Sequence, residues 1–322
     1  MRRVRTTRNY RLIAYLTAIA GVSICSQGYG ASIYESTVLA DGPVAYYRLG
    51  ELTGSTATNS STNGSTLDGT YTNFGAGSTP SSTIGQLGPR PGDPSAANTI
   101  QGLEADNIGI RSAANSNAQV DVPDNNLLDI TGALTLEAWV RRDDTQAANG
   151  NNEGIVGKFV GGTNQRSYVF YYNSRTGTGL PSVGLTLNTS GVSGGNTDFS
   201  TTVNIPAGST SGWTYLAAVY EPGVRMSVYM NGVSIGEKTT GLPASPLFAG
   251  TAPLWIGRQF SNATNTAFEG LIDEVAIYDK ALTPAQVLAH YNAAVVPEPG
   301  AGLLAVMAMM ATLFCRRPVA AR

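Results

Sequence analysis

The chain has one histidine and two cysteines among 322 residues, and only 13% of its residues are charged. A lone imidazole, His290, excludes a zinc site built from several histidines. It sits in a segment with a helix-start pattern, where a packing or surface role is expected. Cys25 and Cys315 lie in apolar runs at the two ends, so the stretch between them contains no cysteine and folds without a disulfide. Scarce charge with 38 glycines and abundant Ser, Thr and Asn favours many short strands over helices. The formal net charge of −2 conceals an uneven distribution. Arg2, Arg3, Arg5, Arg8 and Arg11 crowd the start, and Arg316, Arg317 and Arg322 the end. Without these, about 12 basic residues face roughly 22 acidic ones, a surface that repels nucleic acid and anionic lipid.

The clearest local pattern is Trp213 to Gly236. Trp213–Glu221 is apolar on both parities, as in a strand buried on both faces. Pro222-Gly223 supplies a turn, and Arg225–Met230 alternates, with Met226, Val228 and Met230 on one side and Ser227 and Tyr229 on the other. Asn231-Gly232 tolerates the positive φ that a type I′ hairpin demands, and Val233 and Ile235 carry a third strand. Leu134–Val140 alternates cleanly, with Leu134, Leu136, Ala138 and Val140 opposed to Thr135, Glu137 and Trp139. If that second face is interior, Glu137 needs hydrogen-bond partners or an arginine. Further strands are expected at Val44–Leu49, around Thr70-Tyr71, at Ala118–Val122, Gly154–Val160, Ser167–Ser174, Val183–Asn188, Thr197–Ile205, Leu254–Phe260 and Gly270–Tyr278. Ser55–Ser82 reads mostly as polar loop, and Leu87–Pro94 as a connection. About a dozen strands with regular turns predict an all-β, two-sheet antiparallel jelly-roll sandwich. One short helix is expected after Thr283, whose hydroxyl, with Pro284 and Gln286, forms a capping box. Val287, Leu288 and Tyr291 then share a face.

The ends read as targeting segments. Residues 1–30 have a basic start, an apolar Leu12–Ile24 and small residues at Gly28 and Gly30, the order of a cleaved secretory signal peptide. Ile24 before Cys25 is too large for a lipoprotein signal, and a retained anchor is the alternative. Residues 31–293 form the folded domain and 294–299 a linker carrying Pro297, Glu298 and Pro299. Gly300–Cys315 is an uncharged apolar run of about 24 Å as a helix, short but able to span a membrane. Arg316 and Arg317 in the terminal 316–322 place that end in the cytoplasm and the body outside. This order resembles the PEP-CTERM sorting tail of bacterial envelope proteins. The resemblance implies processing by an exosortase, with transient anchoring in the inner membrane.

Several stretches, LTLEAWV, GIVGKF, WTYLAAVYEPGVRMSVYMNGVSIG, PLWIGRQF and above all IDEVAIYDKALTPAQV, resemble the successive strands of a LamG-like, concanavalin A-like jelly-roll domain. That resemblance spans about 34–293 and implies an extracellular recognition module, often for glycans and sometimes assisted by calcium. The glucanases of this class carry E-x-D-x-E on one strand, a spacing absent here. Asp273 and Glu274 are adjacent, so on a regular strand they point to opposite faces and cannot act together on a glycoside. Serines sit in loops without an evident paired base. No catalysis is expected.

Two candidate ligand sets remain. Tyr168, Phe170 and Tyr172 share one face of a strand and either stack on sugar rings or belong to the core; Tyr171 and Tyr229 pose the same question. Oxygen ligands cluster at Asp121/Asp124/Asn125/Asn126/Asp129 and at Asp143/Asp144/Asn151/Asn152/Glu153, both bordering Leu134–Val140. Asp143, Asp144 and Glu153 are the candidate calcium ligands, although Asp and Asn are also the residues turns prefer. The function expected is a non-catalytic binding component of the envelope or extracellular matrix, for glycan or exopolysaccharide. A structural or adhesive protein is the alternative.

Overall fold

The structure is a computed structural model, which describes residues 31–75, 82–93, 100–113, 116–143, 152–173, 181–203, 205–206, 212–243, 246–259 and 266–295. The signal and tail segments, with Pro297, Glu298, Pro299, Arg316 and Arg317, lie outside the described residues. Among those described, no helix is long and apolar enough to cross a membrane.

The Asn-Gly hairpin forms as its chemistry demands. Asn231 and Gly232 take φ of 51° and 78°, closing β13 (Arg225–Met230) onto β14 (Val233–Lys238). Gly223, at φ 72°, turns β12 (Thr214–Glu221) into β13. This meander begins the back sheet. From β12 the sheet continues through β7 (Leu134–Arg142), β16 (Gly270–Tyr278), β5 (Ile108–Ser112) and β4 (Thr83–Leu87), with β1 (Ala45–Tyr47) also pairing with β16. The front sheet runs β11 (Asn196–Thr202), β10 (Ser182–Gly191), β9 (Gln165–Asn173), β8 (Asn152–Val160), β15 (Leu254–Ile256), β6 (Gln119–Val122), β3 (Gly69–Thr72) and β2 (Thr56–Ala57). Every pairing between named strands is antiparallel, and the two sheets make the expected sandwich.

The alternating strands sort their side chains by parity. Leu134, Leu136, Ala138 and Val140 meet Tyr168, Phe170 and Tyr172, together with Val183, Leu185 and Leu187, in the core between the sheets. The opposite face of the back sheet is buried too. Trp139, Tyr215, Ala217, Val219 and Tyr229 pack beneath two helices, α1 (Ile33–Ala40) and α2 (Pro284–Val295). That explains why β12 is apolar on both parities.

Three expectations need correction. A second helix, α1, precedes the strand expected at Val44–Leu49, in a stretch for which no element was foreseen. Ser32 caps it by accepting from the Glu35 N–H at 3.1 Å, and Tyr34 and Val38 are buried. In α2, Thr283 and Gln286 exchange the two capping-box hydrogen bonds, 3.0 and 3.2 Å, but the inward face is Val287, His290 and Ala294, while Leu288 is 41% exposed. The linker assigned to 294–299 also starts too early. Ala294 and Val295 complete α2, and the Ala294 carbonyl accepts from the Gln101 and Gly102 N–H groups at 2.8 and 2.9 Å.

Candidate functional site

The exposed side of the front sheet carries a groove whose lining is predominantly hydrogen-bonding. Strand register builds it. Asp198, Thr186, Val169, Gly157, Trp255, Asp121 and Thr70 stand in one row across seven strands, and Ser200, Gly184, Tyr171 and Gly154 in the next. Since Tyr168, Phe170 and Tyr172 point into the core, the intervening Val169 and Tyr171 face outward, where they meet Phe159 in a small separate apolar cluster.

A cavity of about 310 Å³ opens over this cluster. Tyr171 and Phe159 form its floor. Thr186, Asn196, Asp198 and Ser200 line one wall, and Asn152 and Gln259 the other. Gly184 makes the floor possible: a Cβ there would lie 2.5 Å from the Tyr171 Cζ and hydroxyl, so the bare backbone is what the ring lies against. The polar wall is ordered by its own bonds. The Thr186 hydroxyl donates to Asp198 at 2.5 Å, the Asn188 amide donates to Asn196 Oδ1 at 2.6 Å, and the Asn173 amide donates to Asn152 Oδ1 at 2.6 Å. Amides, hydroxyls and one carboxylate over an aromatic floor suit a neutral polyol, which offers hydroxyls to the wall and C–H groups to the rings.

The tyrosine stripe proposed from sequence does not line this groove. Tyr168, Phe170 and Tyr172 are fully buried, and the Tyr168 hydroxyl donates to the Leu128 carbonyl at 2.9 Å. With no ring face open to solvent, they are core. Tyr229 is buried beneath the helices, whereas Tyr171 reaches the groove.

The acidic sets are also dispersed. Asp143 pairs with Arg111 on the outer side of the back sheet. Glu153 stands opposite Tyr172 and so points between the sheets, where its carboxylate lies 3.4 Å from the Glu269 N–H. Asp144 lies outside the described residues. Asp143 and Glu153 therefore do not converge, and no group of three metal-binding side chains occurs among the described residues. In the other loop the cation is built in. The buried Lys158 ammonium sits 2.5 Å from both Asp124 and Asp129.

The remaining acids do not form an open catalytic pair. Asp273 and Glu274 are not on opposite faces as a regular strand would require. Glu274 adopts φ 53° at a bulge between β16 and β7, so Ile272 and Val275 both point inward and the two acids lie together on the outer side. Both are fully buried, however. Asp273 accepts from the Asn107 amide at 2.7 Å, while Glu274 accepts from the Tyr46 hydroxyl and lies 3.4 Å from Arg48. Burial raises both carboxyls, Glu274 to about 7 despite the opposing pull of Arg48. Glu269 is likewise pushed to about 7 by burial and by Glu153. Gly191-Val192-Ser193-Gly194-Gly195 has the spacing of a nucleophile elbow, but Gly191 ends β10 in a buried position and Val192–Gly195 form a short turn into β11 instead of a strand-to-helix corner. The only histidine is committed elsewhere. His290 Nδ1 lies 2.9 Å from Glu137 and Nε2 2.9 Å from Asp41, beneath the helices.

Residues 114–288, more than half of the chain, match a laminin-G-type family described as the Concanavalin A-like lectin/glucanases superfamily. The chain belongs to this superfamily. Among solved structures, this superfamily member is similar to domain 4 of AbnA, a GH43 extracellular arabinanase from Geobacillus stearothermophilus, solved in complex with arabinotriose. Identity is 20% and the TM-score 0.48, over 77% of this chain and 98% of that one. It is also similar to HCR/D-Sa-GBL1/C, with 12% identity and a TM-score of 0.50 over 79% of this chain and 52% of the other. The receptor binding domain of botulinum neurotoxin C/D mosaic serotype gives 12% identity and a TM-score of 0.49 over 78% and 51%. The chain thus spans about half the length of these last two. No curated protein matches it. At such identities the likeness concerns the fold.

Proposed function

We propose that this chain is an exported, non-catalytic module that binds a neutral glycan in the groove on the front sheet. The observation carrying the reading is the composition of that groove: a Tyr171 and Phe159 floor beneath hydroxyl and amide walls, in about 310 Å³. Hydrolysis of a glycosidic bond by the common mechanisms needs two carboxyl groups flanking it, and Asp198 is the one described carboxylate lining the groove. A single carboxylate on an acidic body also disfavours acidic sugars. The test is a glycan array followed by calorimetry on the best neutral oligosaccharide, with Asp198→Ala and Tyr171→Ala alongside the parent. Losing a charged hydrogen-bond partner is worth about 1.5–3 kcal/mol, so Asp198→Ala is expected to weaken binding about tenfold or more. No saturable sugar binding by the parent would instead support a structural or adhesive surface protein with protein partners.

Export and sorting belong to the same proposal. The segment 1–30 directs secretion, and Pro297-Glu298-Pro299 with Arg316 and Arg317 presents the chain to an exosortase. Support comes from the order of the PEP motif, the apolar run and the arginines in the sequence. Mass spectrometry of envelope material is expected to find the chain ending near the PEP motif, and an intact Arg322 terminus would refute processing.

A further inference from the structure

The outer face of α2 carries no charge, although the helix lies at the surface. Its 12 residues contain no Asp, Glu, Lys or Arg, and the one imidazole, His290, is fully buried. Val287, His290 and Ala294 face the sheet, which leaves Ala285, Leu288, Ala289 and Asn292 exposed. A surface helix normally turns charged or polar residues to the water on the side away from its core. Here that side offers two alanines, a leucine 41% exposed and a single amide.

The β13–β14 hairpin extends the same surface. A Cβ on Gly232 would stand 2.8 Å from Leu288 Cδ1 and 3.1 Å from Tyr291 Cβ, so the bare turn seats directly against the helix. The next residue, Val233, opens β14 and is 63% exposed. Tyr291 stacks on Trp139, ring centres 6.1 Å apart, and stays half-buried beside Leu288. Leu288 and Val233, flanked by Tyr291, therefore form an uncharged apolar strip, the kind of surface that marks a contact with a partner or a membrane.

What covers the strip follows from where the chain goes next. α2 ends at Val295, and the uncharged apolar run Gly300–Cys315 begins five residues later. Five residues reach at most about 18 Å even fully extended, and Leu288 lies about 10 Å back along the helix from Val295. With that run in a bilayer, the strip stays within about 30 Å of the lipid surface. Such a tether makes the contact intramolecular and raises its effective concentration, so a weak affinity suffices. A second copy of the chain has no such tether.

We propose that, while Gly300–Cys315 is in the membrane, the outer face of α2 and Val233 rest on the lipid surface, and that removal of the tail releases them. The partner is the interfacial zone of a zwitterionic bilayer. The strip has no cation to seek an anionic headgroup, and Tyr291 brings the ring and hydroxyl favoured at that depth. α2 covers the outer side of the back sheet, whereas the groove opens on the outer side of the front sheet, so this contact turns the groove away from the membrane. The proposal rests on reading Gly300–Cys315 as a membrane segment and adds to it a defined face of the body.

The experiment reconstitutes the full chain in phosphatidylcholine vesicles whose acyl chains carry bromine close to the headgroup. It reads the quenching of a tryptophan introduced by Leu288→Trp or, as the control, by Leu127→Trp, a site 44% exposed in the turn before β7. The three native tryptophans are common to both chains. Quenching at position 288 is expected to exceed that at 127 by roughly twofold or more. Adding Val233→Asp to Leu288→Trp is expected to bring it down to the control while the chain stays on the vesicles. Equal quenching at the two sites of a vesicle-bound chain would overturn the proposal and leave the reading of the tail standing. A chain that does not bind the vesicles would overturn both. Shielding of position 288 that appears only as the protein-to-lipid ratio rises would assign the strip to a second copy and overturn the proposal as well.

Discussion

His290 Nδ1 lies 2.9 Å from Glu137 Oε2, joining the last helix to the centre of the sheet it covers. Nε2 of the same ring lies 2.9 Å from Asp41, just after α1, and the Tyr215 and Tyr278 hydroxyls donate to Glu137 at 2.6 and 3.0 Å. Both ring nitrogens face carboxylate oxygens, which only accept, so the ring donates twice as an imidazolium. Truncating Glu137 leaves a buried cation and two phenols without their acceptor. Glu137→Ala is therefore expected to cost about 3–5 kcal/mol, read as a fall in the urea midpoint. A loss below about 1 kcal/mol would show that the network is not what holds α2 down.

Stability is expected to decline steadily between about pH 5 and 8. Burial opposes a charge on His290, but Glu137 and Asp41 prevail and raise its pKa. Its contribution is complete below about 6.5, the unfolded value, and disappears as pH climbs past the raised folded one. Glu269 and Glu274 titrate at about 7 in the folded chain, so between their usual carboxylate range and 7 the native state holds protons that the unfolded chain has released. That again costs stability as pH rises. Urea midpoints at unit pH intervals check the direction, and His290→Gln is expected to flatten the upper part of the curve. A midpoint that climbs from pH 5 to 8 would contradict both arguments.

Gly184→Ala tests the groove floor. The added methyl collides with the Tyr171 ring and comes within 2.9 Å of the Phe199 carbonyl, so either the ring or the strand must shift. A cost of about 1–3 kcal/mol is expected, together with weaker glycan binding by calorimetry. Unchanged stability and affinity would mean that the ring does not define the cavity.

Lys158→Ser tests the built-in cation. It leaves Asp124 and Asp129 facing each other with no charge between them. Millimolar calcium is expected to raise the melting temperature of the variant more than that of the parent, because hard oxygen ligands then replace an ammonium partner with a metal. Equal responses in parent and variant would show that the two carboxylates do not need a cation.

What could be read in advance was whatever local chemistry decides. Asn231-Gly232 and Thr283-Pro284-Ala285-Gln286 state their geometry within four residues, and both formed as expected. The start of α1 was equally legible in principle, since Ser32 and Glu35 have capping spacing, but its β-branched residues obscured it. Periodicity showed that Tyr168, Phe170 and Tyr172 share a face without showing which face is interior, because Val169 and Tyr171 are apolar too. The groove wall was illegible for another reason. Asn152 and Asn196 read as loop residues, and Ser200 and Gln259, though within expected strands, showed nothing of which strands would lie beside them. The bulge at Glu274 rests on a non-glycine residue at φ 53°, which no side-chain pattern announces.

Under the proposed removal of the tail, the two N–H groups bound to the Ala294 carbonyl set the limit the folded body would tolerate. Trimming from the carboxyl end that stopped beyond Val295 would spare the described contacts of the last helix. A cut one turn earlier would strip away the acceptor that pins Gln101 and Gly102 and open the apolar layer over Trp139. The folded body would thus define how far such a cut could move inward before the product stopped being the same protein.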